Sequence, residues 1–436
     1  MIARRLRPSI LVPLLALAGC APAGVHGNPA PRADQTAPVQ PRYTWVQLVD
    51  GDRWSVRSVL DGRATGCPSG MKVRAAPSEA FPILVCEPRL QMSIVTARIG
   101  GRTFRRPATS PAAFALIGDT GCRVKRQQVQ DCTDPRAWPF QLVAASIARA
   151  RPGLVVHLGD YWYREVCTAG PAACARTGPL GDNWASWEAD FFRPAARLLA
   201  AAPWIFLRGN HENCGRGADG WFRLLDAAER SPADTVCTRF TQPYRVRLSG
   251  LDLLLMDTGC APEGTRCTEH VEETTAEYAR QLAAVATMAE GGRPAWIATH
   301  SPFWGVLRPT GPDSTGTRTL QDALRGQPNG ALPPSVELFA AGHVHLFQAL
   351  DFGGGRTPQL IVGNSGTALD PAVTGTHAGR SLAGATLQAF TGFAGFGYAL
   401  VRPAPGGGWS LDVRDPAGHP LAVCRAADKR LECTTK

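Results

Sequence analysis

Side chains that can bind metal ions follow five strand-like apolar runs in this chain. They are Asp119 after ALIG, Asp160 and Tyr163 after VVHLG, Asn210 after IFLRG, His300 after WIAT, and His343 and His345 after FAAG. Because ligands bind at the carboxyl ends of the strands in open α/β sheets, we expect these side chains to meet at one edge. Carboxylate, amide, phenolate and imidazole groups together exceed what one metal ion needs. Two ions about 3.5–4 Å apart, sharing a carboxylate, suit the hydrolysis of phosphate esters.

The tripeptide Asp-Thr-Gly occurs twice, at 119–121 and 257–259, each time after an apolar run. A pair of such loops is also what an aspartic protease presents. A pepsin-like chain is almost entirely β, however, whereas helix-like segments lie between the two copies here. This counts against the protease. The first copy begins with Asp119, which belongs to the set of strand-end side chains described above, and we interpret it as a metal-ligand loop. The second copy is interpreted as a structural turn, in which Asp257 accepts hydrogen bonds from nearby backbone N–H groups.

Strand-like and helix-like segments alternate from residue 112 onward. The helical patterns cover 138–150, 184–200 and 272–290, and strands that alternate with helices of this length indicate an α/β fold. Short β segments separated by Gly, Pro and Asp fill 43–107. We therefore predict a small β domain over 43–107 and a catalytic domain over 112–436.

The composition is that of a folded protein, with 44% hydrophobic and 19% charged residues among 436. The formal net charge is +10, supplied mainly by arginine. Positive charge attracts anionic substrates and membranes, but we attribute it to a base composition that favours Ala, Gly, Pro and Arg. The chain has no dense basic run and no alternation of basic and aromatic residues, so nucleic-acid binding is not expected.

Residues 1–20 have the pattern of an export signal. Three arginines precede an apolar stretch over 10–18 that is too short to span a bilayer. The following LAGC resembles the bacterial lipobox, which implies cleavage before Cys20 and lipidation of that residue. An ordinary secretory signal with a chance cysteine is the alternative. We predict a lipoprotein on the periplasmic side of a bacterial membrane, with the outer membrane as one location, tethered by the Pro- and Ala-rich residues 21–42.

Twelve cysteines remain when Cys20 is set aside from the total of 13. Disulfides are the expected state in an oxidising compartment, and neighbours in sequence form the simplest pairs because short loops close easily. These pairs are Cys67–Cys86, Cys122–Cys132, Cys167–Cys174, Cys214–Cys237, Cys260–Cys267 and Cys424–Cys433. A zinc site is the alternative, although the chain contains no Cys-x-x-Cys pair.

The ordered blocks GDTG, GDYWY, GNHE, a lone histidine and GHVH resemble the calcineurin-like metallophosphoesterase superfamily. Within it, the chain is similar to purple acid phosphatases. Other members usually carry Asp-x-His in the first block, whereas position 121 is Gly here and Tyr163 follows Asp160 by three residues. The resemblance implies a β-sandwich flanked by helices, preceded by a small β domain. A core aromatic residue is the alternative interpretation of Tyr163.

The resemblance also implies two metal ions and a role for each ligand. Fe(III) would be bound by Asp119, Asp160, Tyr163 and His345. A divalent ion, Fe, Zn or Mn, would be bound by Asp160, Asn210, His300 and His343. His211 is not a ligand in this pattern, but contacts the phosphoryl group and assists the leaving group while a metal-bound hydroxide attacks phosphorus.

The expected activity is hydrolysis of phosphate monoesters, on a phosphorylated small molecule or a nucleotide. A phosphodiesterase or nucleotidase on the same metal core is the first alternative, and a non-catalytic surface lipoprotein is the second. Plant members have further histidines after the His300 block, and these are missing here, so substrate contacts must differ. Disulfides in the loops after the ligand blocks would hold the ligands in place. The oligomeric state is left open.

Overall fold

The computed structural model describes residues 40–234, 236–261, 271–307, 316–373 and 377–436, and these form one compact unit. The predicted signal with Cys20, most of the tether and Cys267 lie outside the described residues.

Short strands make up most of the regular structure. The first thirteen are β1 (Tyr43–Val49), β2 (Arg53–Asp61), β3 (Lys72–Ala75), β4 (Ile83–Glu87), β5 (Arg89–Gln91), β6 (Thr96–Ile99), β7 (Arg102–Arg105), β8 (Phe114–Ile117), β9 (Val124–Arg126), β10 (Gln128–Val129), β11 (Leu154–His157), β12 (Arg164–Cys167) and β13 (Trp204–Phe206). The others are β14 (Tyr244–Leu248), β15 (Leu251–Leu255), β16 (Ala295–Ala298), β17 (Val336–Ala341), β18 (Phe347–Asp351), β19 (Gln359–Val362), β20 (Ser381–Leu382), β21 (Ala385–Thr386), β22 (Ala389–Phe393), β23 (Tyr398–Pro403), β24 (Trp409–Arg414), β25 (Pro420–Ala427) and β26 (Arg430–Thr435).

The three predicted helical segments are present among the described residues, one of them interrupted, together with three short helices that the sequence pattern did not predict. They are α1 (Phe140–Ala150), α2 (Pro171–Cys174), α3 (Trp184–Trp187), α4 (Arg193–Ala201), α5 (Ala218–Leu224), α6 (Val271–Ala289) and α7 (Arg318–Arg325). The segment predicted as one helix over 184–200 is interrupted by a π-helical turn at Glu188–Phe192. This turn carries the fully buried Asp190, whose carboxylate accepts N–H bonds from Tyr163 (2.8 Å) and Cys122 (3.2 Å). π turns are frequent at functional sites because they redirect a side chain in this way.

One large sheet has twelve strands, with β8, β11 and β13 side by side in parallel. β23 pairs antiparallel with β8 and continues into β24, β25 and β26. On the other side β1 pairs in parallel with β13 and continues into β2, β4 and β3. The β region that the sequence predicts over 43–107 is therefore present, and its first strands share a sheet with the residues that follow.

A second sheet has the order β14-β15-β16-β17-β19-β18-β22. Apolar side chains of the two sheets form a common core, which includes Leu116 and Val156 from the first sheet and Leu253, Trp296 and Leu338 from the second. α1 and α4 pack on the outer face of the first sheet, and α6 and α7 on that of the second. This arrangement confirms the predicted α/β sandwich flanked by helices. Among the described residues, no helix combines the length and apolar character required to cross a membrane.

Buried arginines attach the N-terminal strands to the rest of the unit. Arg74 Nη1 lies 2.8 Å from Glu87 Oε1, and Arg57 is ion-paired with the same carboxylate. Both guanidinium groups also donate to backbone carbonyls at the end of α5, Arg57 to Leu224 (2.7 Å) and Arg74 to Phe222 (2.8 Å). Burial raises the pKa of Glu87, but the two arginines outweigh it and bring the value down to about 2.

Five of the predicted disulfides are formed among the described residues. They are Cys67–Cys86, Cys122–Cys132, Cys167–Cys174, Cys214–Cys237 and Cys424–Cys433. The sixth predicted pair, Cys260–Cys267, includes a residue outside the described ranges. Cys122 and Cys214 lie in the connections that follow β8 and β13, and Cys167 is the last residue of β12, so three disulfides lie near the loops that carry predicted ligands.

Candidate metal centre

Four predicted ligands converge around the hydroxyl group of Tyr163. This oxygen lies 2.6 Å from Asp160 Oδ2, 3.0 Å from Asp119 Oδ1 and 3.0 Å from His345 Nε2. All four side chains are buried. They reach this point from the carboxyl ends of β8, β11 and β17, as the strand-end pattern predicted.

A second group of ligands meets at the same Asp160 oxygen. His300 Nε2 lies 3.3 Å from Asp160 Oδ2 and 2.9 Å from Asn210 Oδ1, and Asn210 Oδ1 lies 2.9 Å from His343 Nδ1. Candidate ligand atoms of Asp160, His300 and His343 all lie within 4.8 Å of one another. The structure thus brings all seven predicted ligands together in two groups that share one carboxylate.

The chemistry of the second group fits a bound cation. His300 Nδ1 lies 2.8 Å from the Leu158 carbonyl, so this nitrogen carries the proton and Nε2 presents its lone pair to the site. Nε2 therefore faces the oxygens of Asp160 and Asn210, and only a proton or a metal ion makes that contact favourable. Burial lowers the pKa of His300, but the carboxylate of Asp160 outweighs it and raises the value to about 9. The site thus favours positive charge.

The backbone turns sharply at three of the predicted ligands. φ is +56° at Asp119, +60° at Asp160 and +69° at His343, in the left-handed region that L-residues seldom adopt. Close packing between the ligand loops also explains why position 209 is a glycine. A Cβ atom at Gly209 would lie 2.0 Å from Asp160 Oδ1, so a side chain at this position would displace the shared carboxylate.

Packing around position 121 explains why this chain lacks the histidine that is usual in the first block. A Cβ atom at Gly121 would lie 2.7 Å from the Tyr161 carbonyl oxygen and 2.9 Å from Cδ2 of Tyr163. The ring of Tyr163 therefore occupies the space that a side chain at 121 needs. The glycine and the tyrosine form one consistent arrangement.

Glu212 links the second and third ligand loops, a role that the sequence analysis missed. Its carboxylate accepts N–H bonds from Asp160 (3.0 Å), Tyr161 (2.9 Å), Trp162 (3.2 Å) and Gly209 (3.0 Å). Burial and the nearby Asp160 raise its pKa to about 8. The motif GNHE placed Glu212 beside the site, but no local pattern shows which backbone groups a carboxylate will bind.

The second Asp-Thr-Gly copy forms the predicted turn and also positions a ligand. Asp257 Oδ1 accepts the N–H of Gly259 (2.9 Å), and Asp257 Oδ2 lies 3.3 Å from Nη1 of the buried Arg208. Thr258 Oγ1 accepts the backbone N–H groups of His300 (3.1 Å) and Ser301 (2.8 Å). The second copy therefore orients the predicted ligand His300 although it supplies no predicted ligand itself, which sequence inspection did not reveal.

His211 lies beside the two ligand groups. Its backbone N–H donates to Asp160 Oδ1 (2.9 Å), its ring packs on that of Tyr163 with centroids 3.7 Å apart, and Nε2 lies 3.9 Å from Asp160 Oδ2. Nδ1 lies 2.9 Å from Oε1 of Glu165. Burial lowers the pKa of His211 to about 4, although Asp160 and Glu165 oppose the shift.

His157, which the sequence analysis left as a strand residue, is a buried packing residue. Its Nε2 lies 2.9 Å from Thr120 Oγ1, and its ring stacks on Tyr161 with centroids 3.9 Å apart. It therefore supports the loops of Asp119 and Asp160 from behind.

The contact between Thr258 and His300 predicts an effect on metal retention. Thr258→Val removes the acceptor of two buried N–H groups while keeping the side-chain volume. Loss of such a supporting contact typically weakens metal affinity roughly 10- to 100-fold. Competition with a chelator would measure the change, with Thr319→Val, at a buried threonine of α7, as the matched control. Equal metal retention by both variants would contradict the role of Thr258.

Comparison with known proteins agrees with this geometry. Solved structures share the fold, including the following two. A purple acid phosphatase, PPD1, from seeds of yellow lupin (Lupinus luteus) has a TM-score of 0.55 and 13% identity, over 92% of this chain and 75% of the lupin chain. A structure of PhoD has a TM-score of 0.52 and 11% identity, over 93% of this chain and 94% of that chain. No curated protein sequence matches the chain.

The family model described as calcineurin-like phosphoesterase matches residues 112–347, which is more than half of the chain and includes all seven predicted ligands. The fold, the order of the ligand loops and the two ligand groups around Asp160 agree with that match. The chain belongs to the calcineurin-like phosphoesterase family.

Proposed function

We propose that this metal-dependent phosphoesterase hydrolyses phosphate monoesters with two metal ions held on either side of Asp160. The observation that carries the proposal is the double use of Asp160 Oδ2, which lies 2.6 Å from the Tyr163 hydroxyl and 3.3 Å from His300 Nε2. A single carboxylate oxygen between two sets of ligands is what a pair of closely spaced ions requires.

The ligands divide by their chemistry. Fe(III) is assigned to Asp119, Asp160, Tyr163 and His345, since a hard trivalent ion prefers anionic oxygen. A divalent Fe, Zn or Mn is assigned to Asp160, Asn210, His300 and His343. When bound, the two ions would neutralise charge on the phosphate and lower the pKa of a coordinated water.

The protein side chains position the ester and its leaving group. His211 lies at the edge of the ligand groups, with Nδ1 2.9 Å from Glu165 Oε1 and Nε2 3.9 Å from Asp160 Oδ2. We assign to His211 the contact with the phosphoryl group that assists departure of the leaving oxygen. Glu165 fixes the orientation of the ring as an anion. Burial raises the pKa of Glu165, but His211 and Arg216 outweigh burial and bring the value down to about 2.

Turnover of two aryl esters tests the activity. The metal-loaded protein is expected to hydrolyse phenyl phosphate at least tenfold faster than bis-phenyl phosphate. His211→Ala should retain both metals and lower kcat for phenyl phosphate by about 100-fold, the usual contribution of a positioned proton-transfer group. His419→Ala is the matched control, because that histidine is exposed and pairs with Asp415.

Each other outcome identifies one of the alternatives. Faster turnover of the diester would favour the phosphodiesterase. Full metal content without turnover of either ester would favour the non-catalytic surface protein. An unchanged kcat in His211→Ala would contradict the role of His211.

Coordination by Tyr163 predicts colour. A phenolate bound to Fe(III) absorbs visible light, so the purified protein should show a purple-pink band and contain about two metal ions, one of them iron. Tyr163→Phe should lose the band, while Tyr161→Phe, which alters the neighbouring buried tyrosine, should keep it. A colourless wild-type protein with two other divalent ions would contradict the assignment of Tyr163 to Fe(III).

We also propose export as a lipoprotein anchored through Cys20. Five disulfides support an oxidising compartment, either extracellular or periplasmic. Mass spectrometry of the N-terminal peptide from the mature protein should find cleavage before Cys20 and a lipid on its thiol. An unmodified Cys20, or cleavage elsewhere, would favour the ordinary secretory signal.

A further inference from the structure

Arg216 stands next to the proposed leaving-group contact. Its Nη2 lies 2.9 Å from His211 Nε2 and is also ion-paired with Glu165, and Nη1 donates to the Asn210 carbonyl (3.3 Å). The side chain of Arg216 is 16% exposed, so part of the guanidinium group remains accessible from solvent. A cation is therefore held against His211 at the edge of the metal centre.

A small sheet of β10, β9 and β12 brings further positive charge to this edge. Lys125 on β9 is in register with Val166 on β12, next to Glu165. Burial lowers the pKa of Lys125, and the charges of Arg216 and Arg123 lower it further, although Glu165 opposes them. Lys125 thus shares its surroundings with two arginines.

Arg123 completes the group, because it directly precedes β9. The backbone N–H of Val124, the first residue of β9, donates to the carbonyl of Tyr163 (3.1 Å), so Arg123 adjoins the loop that carries this predicted ligand. Arg123 Nε is buried and has no hydrogen-bond acceptor among the described residues. Such a donor is costly to bury unless a ligand satisfies it.

The charges on this edge do not balance. Among the described residues, neither Arg123 nor Lys125 forms an ion pair. Glu165, which precedes the strand partner of Lys125, is ion-paired with Arg216 and lies 2.9 Å from His211 Nδ1. Two disulfides, Cys122–Cys132 and Cys167–Cys174, close the loops that carry these strands. The backbone that carries these charged side chains is therefore constrained by two cross-links.

We propose that Arg123, Lys125 and Arg216 form an anion subsite that binds a second anionic group, on the leaving-group side of the phosphoester. The placement of this subsite on the leaving-group side rests on the proposed role of His211. Guanidinium and ammonium groups bind phosphate and carboxylate oxygens alike, the arginines with two donors in a fixed fork. The preferred substrates then carry a phosphate or a carboxylate on the leaving group, and simple aryl phosphates are poorer.

Steady-state kinetics on three substrates test the subsite. Pyrophosphate and phosphoglycolate carry an anionic leaving group, one a phosphate and the other a carboxylate, whereas phenyl phosphate carries a neutral one. The wild-type kcat/KM is expected to be at least about tenfold higher for one or both anionic substrates, through a lower KM. A charge-assisted hydrogen bond is worth about 1.5–3 kcal/mol, which corresponds to tenfold or more in affinity.

Variants of Arg123 and of residues in β9 then distinguish a local anion subsite from a general effect of positive surface charge. Lys125→Ala and Arg123→Ala should each reduce the preference for the anionic substrates about tenfold, by raising KM. Arg126→Ala, which removes an exposed charge from the same strand, is the matched control and should change the preference less than twofold. The proposal is overturned if the preference is the same in wild type and Lys125→Ala, or falls equally in Arg126→Ala.

Failure of the proposed function can be distinguished from failure of the subsite. If the metal-loaded protein hydrolyses none of the three substrates, calorimetry still compares the binding of pyrophosphate with that of inorganic phosphate. Tighter binding of pyrophosphate in wild type, lost in Lys125→Ala, supports the subsite. Equal affinities for the two anions in wild type overturn it.

Discussion

The position of Asp160 is the constraint on which the rest of the site depends. Its Oδ2 atom takes part in both ligand groups, and its Oδ1 atom accepts the backbone N–H of His211 at 2.9 Å. Its own backbone N–H is bonded to Glu212 at 3.0 Å. Because every polar atom of this residue near the site has a partner, a displacement of any neighbouring loop would disturb both ligand groups at once.

The surrounding structure stabilises the unfavourable backbone conformation of the predicted ligands. Asp119 and Asp160 are both buried, and they share a left-handed backbone conformation with a third predicted ligand, His343. Left-handed backbone at a non-glycine residue costs about 1–3 kcal/mol and persists only where the surroundings fix it. Here the two sheets fix it, since each ligand loop begins at the end of a buried strand and is bonded to a loop from another strand.

Local patterns in the sequence carried much of this architecture. Apolar strands, helical periodicity and the order of the ligand blocks predicted the sandwich, and they placed all seven ligands at one end of it. They did not reveal that β1 pairs in parallel with β13, because that pairing joins Gln47 to Trp204 across a long stretch of chain. The supporting contacts of Glu212 and Thr258 were missed for the same reason, since hydrogen bonds between distant loops leave no periodic signal.

The pattern of the disulfides bears on how the protein is made. Each of the five described pairs joins cysteines that are consecutive in the chain, and the separations run from 7 to 23 residues. If the chain is exported as proposed and emerges with its N-terminus first, the partner of each cysteine would appear before any cysteine of the next pair. Sequential oxidation then yields the native set directly, without thiol–disulfide shuffling, which takes seconds to hours. Biogenesis of such a chain requires an oxidant but little assistance from an isomerase.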